Sequence, residues 1–104
     1  MSFDIEWVDP AFEKLESLPS TMAFEIVRRV DLLASFPEMC PSLHSRYPQL
    51  GNCRQLIVDR SYRIIYEFDA VAASVYILEL QHCRQRLPTV AELRFRQSLK
   101  QGAE

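Results

Sequence analysis

Residues 53–59, 61–69 and 74–82 are three stretches rich in Ile, Val, Leu and Tyr, with almost nothing between them. Each has the length of a strand, and the connections are too short for anything but hairpins. The segment is therefore expected to fold as an antiparallel meander, and the rest of the chain must arrange itself around that sheet.

Matching the apolar patterns of the second and third stretches places Ile65 opposite Ile77. That register sets Tyr62 against Leu80, Ile64 against Leu78 and Tyr66 against Tyr76 on one face, with Arg63 facing Glu79 on the other. Tyr62, Tyr66, Phe68 and Tyr76 are then read as core. The opposite face, carrying Arg63, Glu67, Glu79 and Gln81, is left open or half-covered, and chemistry is expected there.

Upstream, Phe3 to Val8 alternates apolar and polar side chains at period two and stops at Asp9-Pro10, which predicts an opening strand. Asp9 is a suitable N-cap and Pro10 suits the first helical position, so a short helix bearing Ala11, Phe12, Leu15 and Leu18 should follow. Ser20 can cap a second helix, in which Ala23, Ile26, Val27, Val30, Leu33 and Ala34 recur at three- and four-residue steps. The two helices are expected to form a hairpin. From 36 to 52, three prolines and Gly51 interrupt any period, which predicts a long surface connection and the expected place for mobility. Thr89 and Glu92 have capping-box spacing at the head of a closing helix with Leu93, Phe95, Arg96 and Leu99. The reading is a small α+β fold in the order β-α-α-β-β-β-α. It is a single domain over 1–104, with a core at 3–88 and a C-terminal helix and tail at 89–104.

Composition narrows the function. With 48% apolar residues and two glycines in 104, the chain has the material for a packed core. A formal charge of -2 argues against gripping nucleic acid by overall field. The charge is uneven, however: six acids against Lys14 over 1–25, and seven arginines plus Lys100 against five acids over 51–100. The second half can thus hold a local anion site. Cys40, Cys53 and Cys83 are odd in number and irregular in spacing, which fits reduced thiols better than a disulfide framework. With His44 and His82 they form no Cys-x-x-Cys pair, so neither metal nor cofactor is expected. No apolar run approaches the ~20 residues of a membrane span and the N-terminus lacks signal-peptide character, so a cytoplasmic location away from membranes is expected.

The run Cys53-Arg54-Gln55-Leu56-Ile57-Val58-Asp59-Arg60-Ser61-Tyr62-Arg63-Ile64-Ile65-Tyr66-Glu67-Phe68-Asp69 resembles the central strands of the RelE/ParE superfamily of toxins, with their Tyr-Arg-aliphatic-aliphatic-Tyr signature. Residues 74–82 resemble that family's last strand, and His82-Cys83-Arg84-Gln85-Arg86-Leu87-Pro88 its following basic segment. The resemblance covers about residues 3–90 and includes the order of elements. It implies the toxin of a type II toxin–antitoxin pair, neutralised by a cognate antitoxin and reaching operator DNA only through it. Growth would be arrested either by ribosome-dependent mRNA cleavage or by inhibition of DNA gyrase. An inactive interaction module of the same fold is a third reading.

For the nuclease branch the resemblance places phosphate contact on Arg63, Arg84 and Arg86, with proton transfer on His82 and either Glu67 or Glu79. Arg54, Gln55 and Glu79 are assigned to target binding. Leu93, Phe95 and Leu99, on the closing helix, are assigned to the antitoxin. Gln55 and Ile57 stand where some nuclease members carry lysines, and Leu87-Pro88 stands where they carry a tyrosine, which is closer to the gyrase-directed branch. From the residues alone, Arg63 could simply pair with Glu79 as a surface ion pair, and His82 could be solvated at a strand end.

Overall fold

The computed structural model describes residues 2–100; the expected tail at 101–104 lies outside them. Among the described residues there are four strands and three α-helices: β1 (Asp4–Trp7), α1 (Asp9–Glu16), α2 (Ser20–Asp31), β2 (Cys53–Val58), β3 (Tyr62–Asp69), β4 (Ser74–His82) and α3 (Val90–Gln97), with short 3-10 turns at Leu32–Ala34 and Pro48–Leu50. The order matches the sequence reading. Two of the expected caps do not. Asp9 and Ser20 are the first residues of their helices rather than capping residues, and the positions before them, Val8 and Pro19, make no side-chain cap bond. At α3 the capping box does form: Thr89 Oγ accepts from the Glu92 N–H at 3.0 Å, and the Glu92 carboxylate accepts from the Thr89 N–H at 2.7 Å.

The sheet runs β1-β4-β3-β2. The meander β2-β3-β4 is antiparallel as expected, while β1 adds to β4 in parallel, so the whole sheet is mixed. The three-residue β2–β3 connection places Asp59 and Arg60 at φ of 57° and 58°, the left-handed pair at the centre of a turn closed by the Ser61 N–H on the Val58 carbonyl at 3.0 Å.

The expected β3–β4 register is corrected by two residues in its first half. Tyr62 lies opposite His82, Arg63 opposite Gln81, Ile64 opposite Leu80 and Ile65 opposite Glu79; after an irregularity at Ile65/Tyr66, Tyr66 faces Ile77 and Glu67 faces Tyr76. Leu78 is the extra residue on β4, standing between Ile77 and Glu79, the partners of Tyr66 and Ile65, and it shifts the register by one position. Tyr76 consequently leaves the face of Tyr62 and Tyr66 for that of Glu67.

One face of the sheet, bearing Leu56, Val58, Ile64, Tyr66, Val75, Ile77 and Leu80, packs beneath the helical hairpin, whose Ala11, Leu15, Ile26 and Val30 are buried. The other face is not left open. It is crossed by α3, where Arg96 reaches the Leu78 carbonyl and Glu79, and Gln97 and Lys100 reach Glu67. Leu93 is fully buried, so α3 packs into the core.

The connection 36–52 is also docked, contrary to the expectation of a loose surface loop. Cys40, Leu43, Tyr47 and Leu50 are buried. Ser42 bridges Arg54 along the outer edge of β2, with Leu43 N–H donating to the Cys53 carbonyl and Gln55 N–H to the Pro41 carbonyl. Such pairing covers an edge that would otherwise present free backbone groups. Prolines end helices and strands, but they leave neighbouring apolar side chains free to pack.

Candidate functional site at the end of the sheet

Arg63 sits in mid-sheet, half-buried, opposite Ile57 of β2 and Gln81 of β4. Its Nε donates to Gln55 Oε1 at 3.1 Å and its Nη1 to Gln81 Oε1 at 2.5 Å. Two longer contacts, both 3.4 Å, run from Nη1 to the Gln85 carbonyl and from Nη2 to the Cys83 carbonyl. Every one of these acceptors is neutral. Among the described residues, the ion pairs are Arg28–Glu25, Arg96–Glu79 and Lys100–Glu67, and none includes Arg63, Arg84 or Arg86. The cross-strand pair with Glu79 that the sequence allowed does not form; the corrected register puts Gln81 in that place.

Just beyond β4 the chain turns through 83–88, with Arg84 and Arg86 exposed. Gln81 holds this turn through its Nε2, which donates to the Arg86 carbonyl at 3.2 Å. Tyr47 holds the end of the segment, its hydroxyl donating to the Pro88 carbonyl at 2.7 Å. A cavity of about 750 Å³ opens beside the turn, lined by Gln81, Gln85, Arg86, Pro88 and, from α3, Ala91, Glu92, Phe95 and Arg96. Arginine forks offer two parallel donors to phosphate or carboxylate, so this corner is chemically suited to an anion.

The expected proton-transfer groups do not converge on it. His82 projects to the face opposite Arg63, its ring 5.2 Å from that of Tyr62 in an edge arrangement, and its Nδ1 accepts from the Arg84 N–H at 3.1 Å. Strand alternation imposes this, because Gln81 takes the Arg63 face. Glu79 is tied to Arg96 at 2.5 Å, and burial raises its pKa more than Arg96 lowers it. Glu67 is bound by Gln97 and Lys100.

Of the residues assigned to target binding, Gln55 and Glu79 share the Arg63 face. Arg54 does not: its Nη1 donates to the Cys40 carbonyl at 2.7 Å and its guanidinium lies 5.8 Å from the Phe68 ring centroid, so it fastens the 36–52 connection. Of the three antitoxin candidates, Leu93 is interior, Leu99 is half-buried, and Phe95 is 60% exposed at the cavity rim. Gln81, only 4% exposed, was noted merely as a face residue from sequence. Its role was hidden because the assumed register paired Arg63 with Glu79. A buried glutamine beside an arginine on a neighbouring strand was the available signal.

The architecture is that of a small α+β domain with a helical hairpin on one face of its sheet, a closing helix on the other, and an arginine-bearing corner at the end of its last strand. This fold is shared with solved RelE toxins. A chain of the RelBE2 toxin–antitoxin complex from Mycobacterium tuberculosis matches with a TM-score of 0.67 at 18% identity, over 82% of this chain and 95% of that one. The E. coli toxin RelE, as a free-state variant with two arginines replaced by alanine, matches at 0.67 and 13% identity over 92% and 94%. The isolated E. coli RelE toxin matches at 0.67 and 13% over 94% and 100%. No protein-family model matches the chain, and no curated protein matches its sequence.

Proposed function

We propose that this chain is the toxin of a toxin–antitoxin pair and that it arrests growth by ribosome-dependent cleavage of mRNA. Arg63, Arg84 and Arg86 are its phosphate-binding residues. The observation that carries the reading is a half-buried arginine held only by neutral acceptors, with two exposed arginines at the same end of the sheet and no carboxylate paired to any of them among the described residues. Attack by a ribose 2′-hydroxyl builds negative charge on the phosphorane, and fixed guanidinium groups stabilise that charge without reorganising. The likeness to RelE adds support. Two substituted arginines separated by one residue mark the free-state RelE variant, and Arg84 and Arg86 have the same spacing. The RelBE2 complex supports a cognate antitoxin as partner, with Phe95 and Leu99 as the residues it covers and operator DNA reached only through it.

A second reading, a non-catalytic inhibitor of DNA gyrase, is favoured by one observation: among the described residues no free acid or base stands beside Arg63, because His82 faces away and Glu67 and Glu79 are occupied. Mapping transcript 5′ ends minutes after induction separates the two. The expected result is new ends within translated frames that disappear in an Arg84→Ala/Arg86→Ala variant, whose changes lie on exposed side chains. Growth arrest with loss of DNA supercoiling and no new ends would replace the nuclease reading with the gyrase one. Neither effect would leave an inactive module.

A further inference from the structure

Gln81 is buried, yet both ends of its amide are used: the oxygen accepts from Arg63 Nη1 at 2.5 Å and the nitrogen donates to the Arg86 carbonyl at 3.2 Å. One side chain therefore joins the mid-sheet arginine to the turn bearing Arg84 and Arg86. We propose that Gln81 is a positioning residue that aims Arg63 and the 83–86 turn at a shared phosphodiester, without touching the nucleic acid itself. The inference rests on the reading of this corner as an RNA-phosphate site.

The choice of an amide has a chemical reason. Apolar side chains at this place would leave Arg63 free to swing and would strand a backbone carbonyl. Glutamate would fix Arg63 but cancel its charge and repel the Arg86 carbonyl. Glutamine alone accepts from one partner, donates to the other and preserves the positive charge. Gln55 completes the arrangement from the other side at 3.1 Å, so two neutral acceptors set the guanidinium plane, while the two 3.4 Å contacts leave weakly held donors for an incoming oxygen.

The test is binding of the full chain to ribosomes programmed with a short labelled mRNA at several salt concentrations, with Arg63→Ala, Gln81→Met, Gln81→Glu and the Arg63→Ala/Gln81→Met double variant. Gln81→Met keeps the volume and the Arg63 charge, so it should weaken binding about tenfold, the size of a lost hydrogen bond to a charged group, with an unchanged salt slope. Gln81→Glu should lower that slope by about 0.7, the value for one neutralised phosphate contact on a single strand. The double variant should lose less than the sum of the two single effects, because the part of Gln81's action that runs through Arg63 is already gone and only its hold on the 83–86 turn remains to be lost. If Arg63→Ala weakens binding but both Gln81 variants match the wild type, or if the two effects simply add, the positioning role is overturned and the phosphate site stands. If the wild type binds no better than Arg63→Ala, both are overturned.

Discussion

Leu93→Ala tests whether the closing helix is part of the cooperative core. Leu93 is fully buried, and truncating a buried leucine costs about 2.7–5.0 kcal/mol, depending on how far the surroundings close over the void. Here they are held apart. The segment is fixed before the helix by the Tyr47–Pro88 bond and the Thr89 capping box, and after Leu93 by Arg96 on Glu79 and Lys100 on Glu67. With both ends tied, α3 cannot settle into the space, and a loss of about 3–4 kcal/mol is expected. At a urea dependence of about 1–1.5 kcal/mol per molar, the unfolding midpoint falls by about 2–4 M. Phe95→Ala, at a side chain 60% exposed, should stay within about 0.5 kcal/mol of wild type and serves as the control on the same helix. Urea unfolding followed by far-ultraviolet circular dichroism measures both. A Leu93→Ala loss below about 1 kcal/mol would refute the argument, because it would mean that α3 unfolds separately from the sheet.

Two further outcomes follow from titratable groups. Burial raises Glu79 above its ordinary value of 4.5, so its contribution to stability is fully present below that value and is lost as pH rises through the folded one. Glu92, lowered by its bond to the Thr89 N–H, behaves oppositely, contributing above 4.5 and losing that contribution as pH falls through its folded value. Thermal unfolding between pH 3 and 7 should therefore show wild type losing ground to Glu79→Gln as pH rises and to Glu92→Gln as it falls; parallel profiles would contradict both assignments. Among the thiols, burial pushes Cys53 up to about 12 and leaves it 1% exposed, whereas Cys83 is half-buried near the turn. Iodoacetamide at pH 8 followed by peptide mass mapping should label Cys83 first and spare Cys53 in the folded protein, and early Cys53 labelling would show that β2 opens.

Local chemistry was readable in the sequence wherever it was decided locally. Thr89 and Glu92 announce their capping box, the α2 stripe announces its buried side, and the short connections announce the meander. The misread parts depend on contacts between distant residues. Val75 to Leu78 is an unbroken apolar run, so the pattern allowed more than one register, and the extra residue on β4 chose the other. That slip hid the pairing of Gln81 with Arg63 and placed Glu79 beside the wrong partner. His82 looked available because its type suited proton transfer, but strand alternation turned it to the Tyr62 face. The arginine corner was legible as a local basic segment, whereas its glutamine supports were not. Likewise Tyr47 and Leu50, surrounded by prolines, gave no periodic sign that they were interior.

The acceptors around Arg63 also bear on the order in which the protein is made. Gln55 precedes the arginine, but Gln81, Cys83 and Gln85 lie in the last quarter of the chain, and Pro88, which Tyr47 secures, comes after them. A chain interrupted before this stretch carries Arg63 on an unfinished sheet with only one of its supports. Since a domain folds as a unit, the anion corner exists only once residues 81–88 have been made and have joined the sheet, and a chain that stops before them lacks the site.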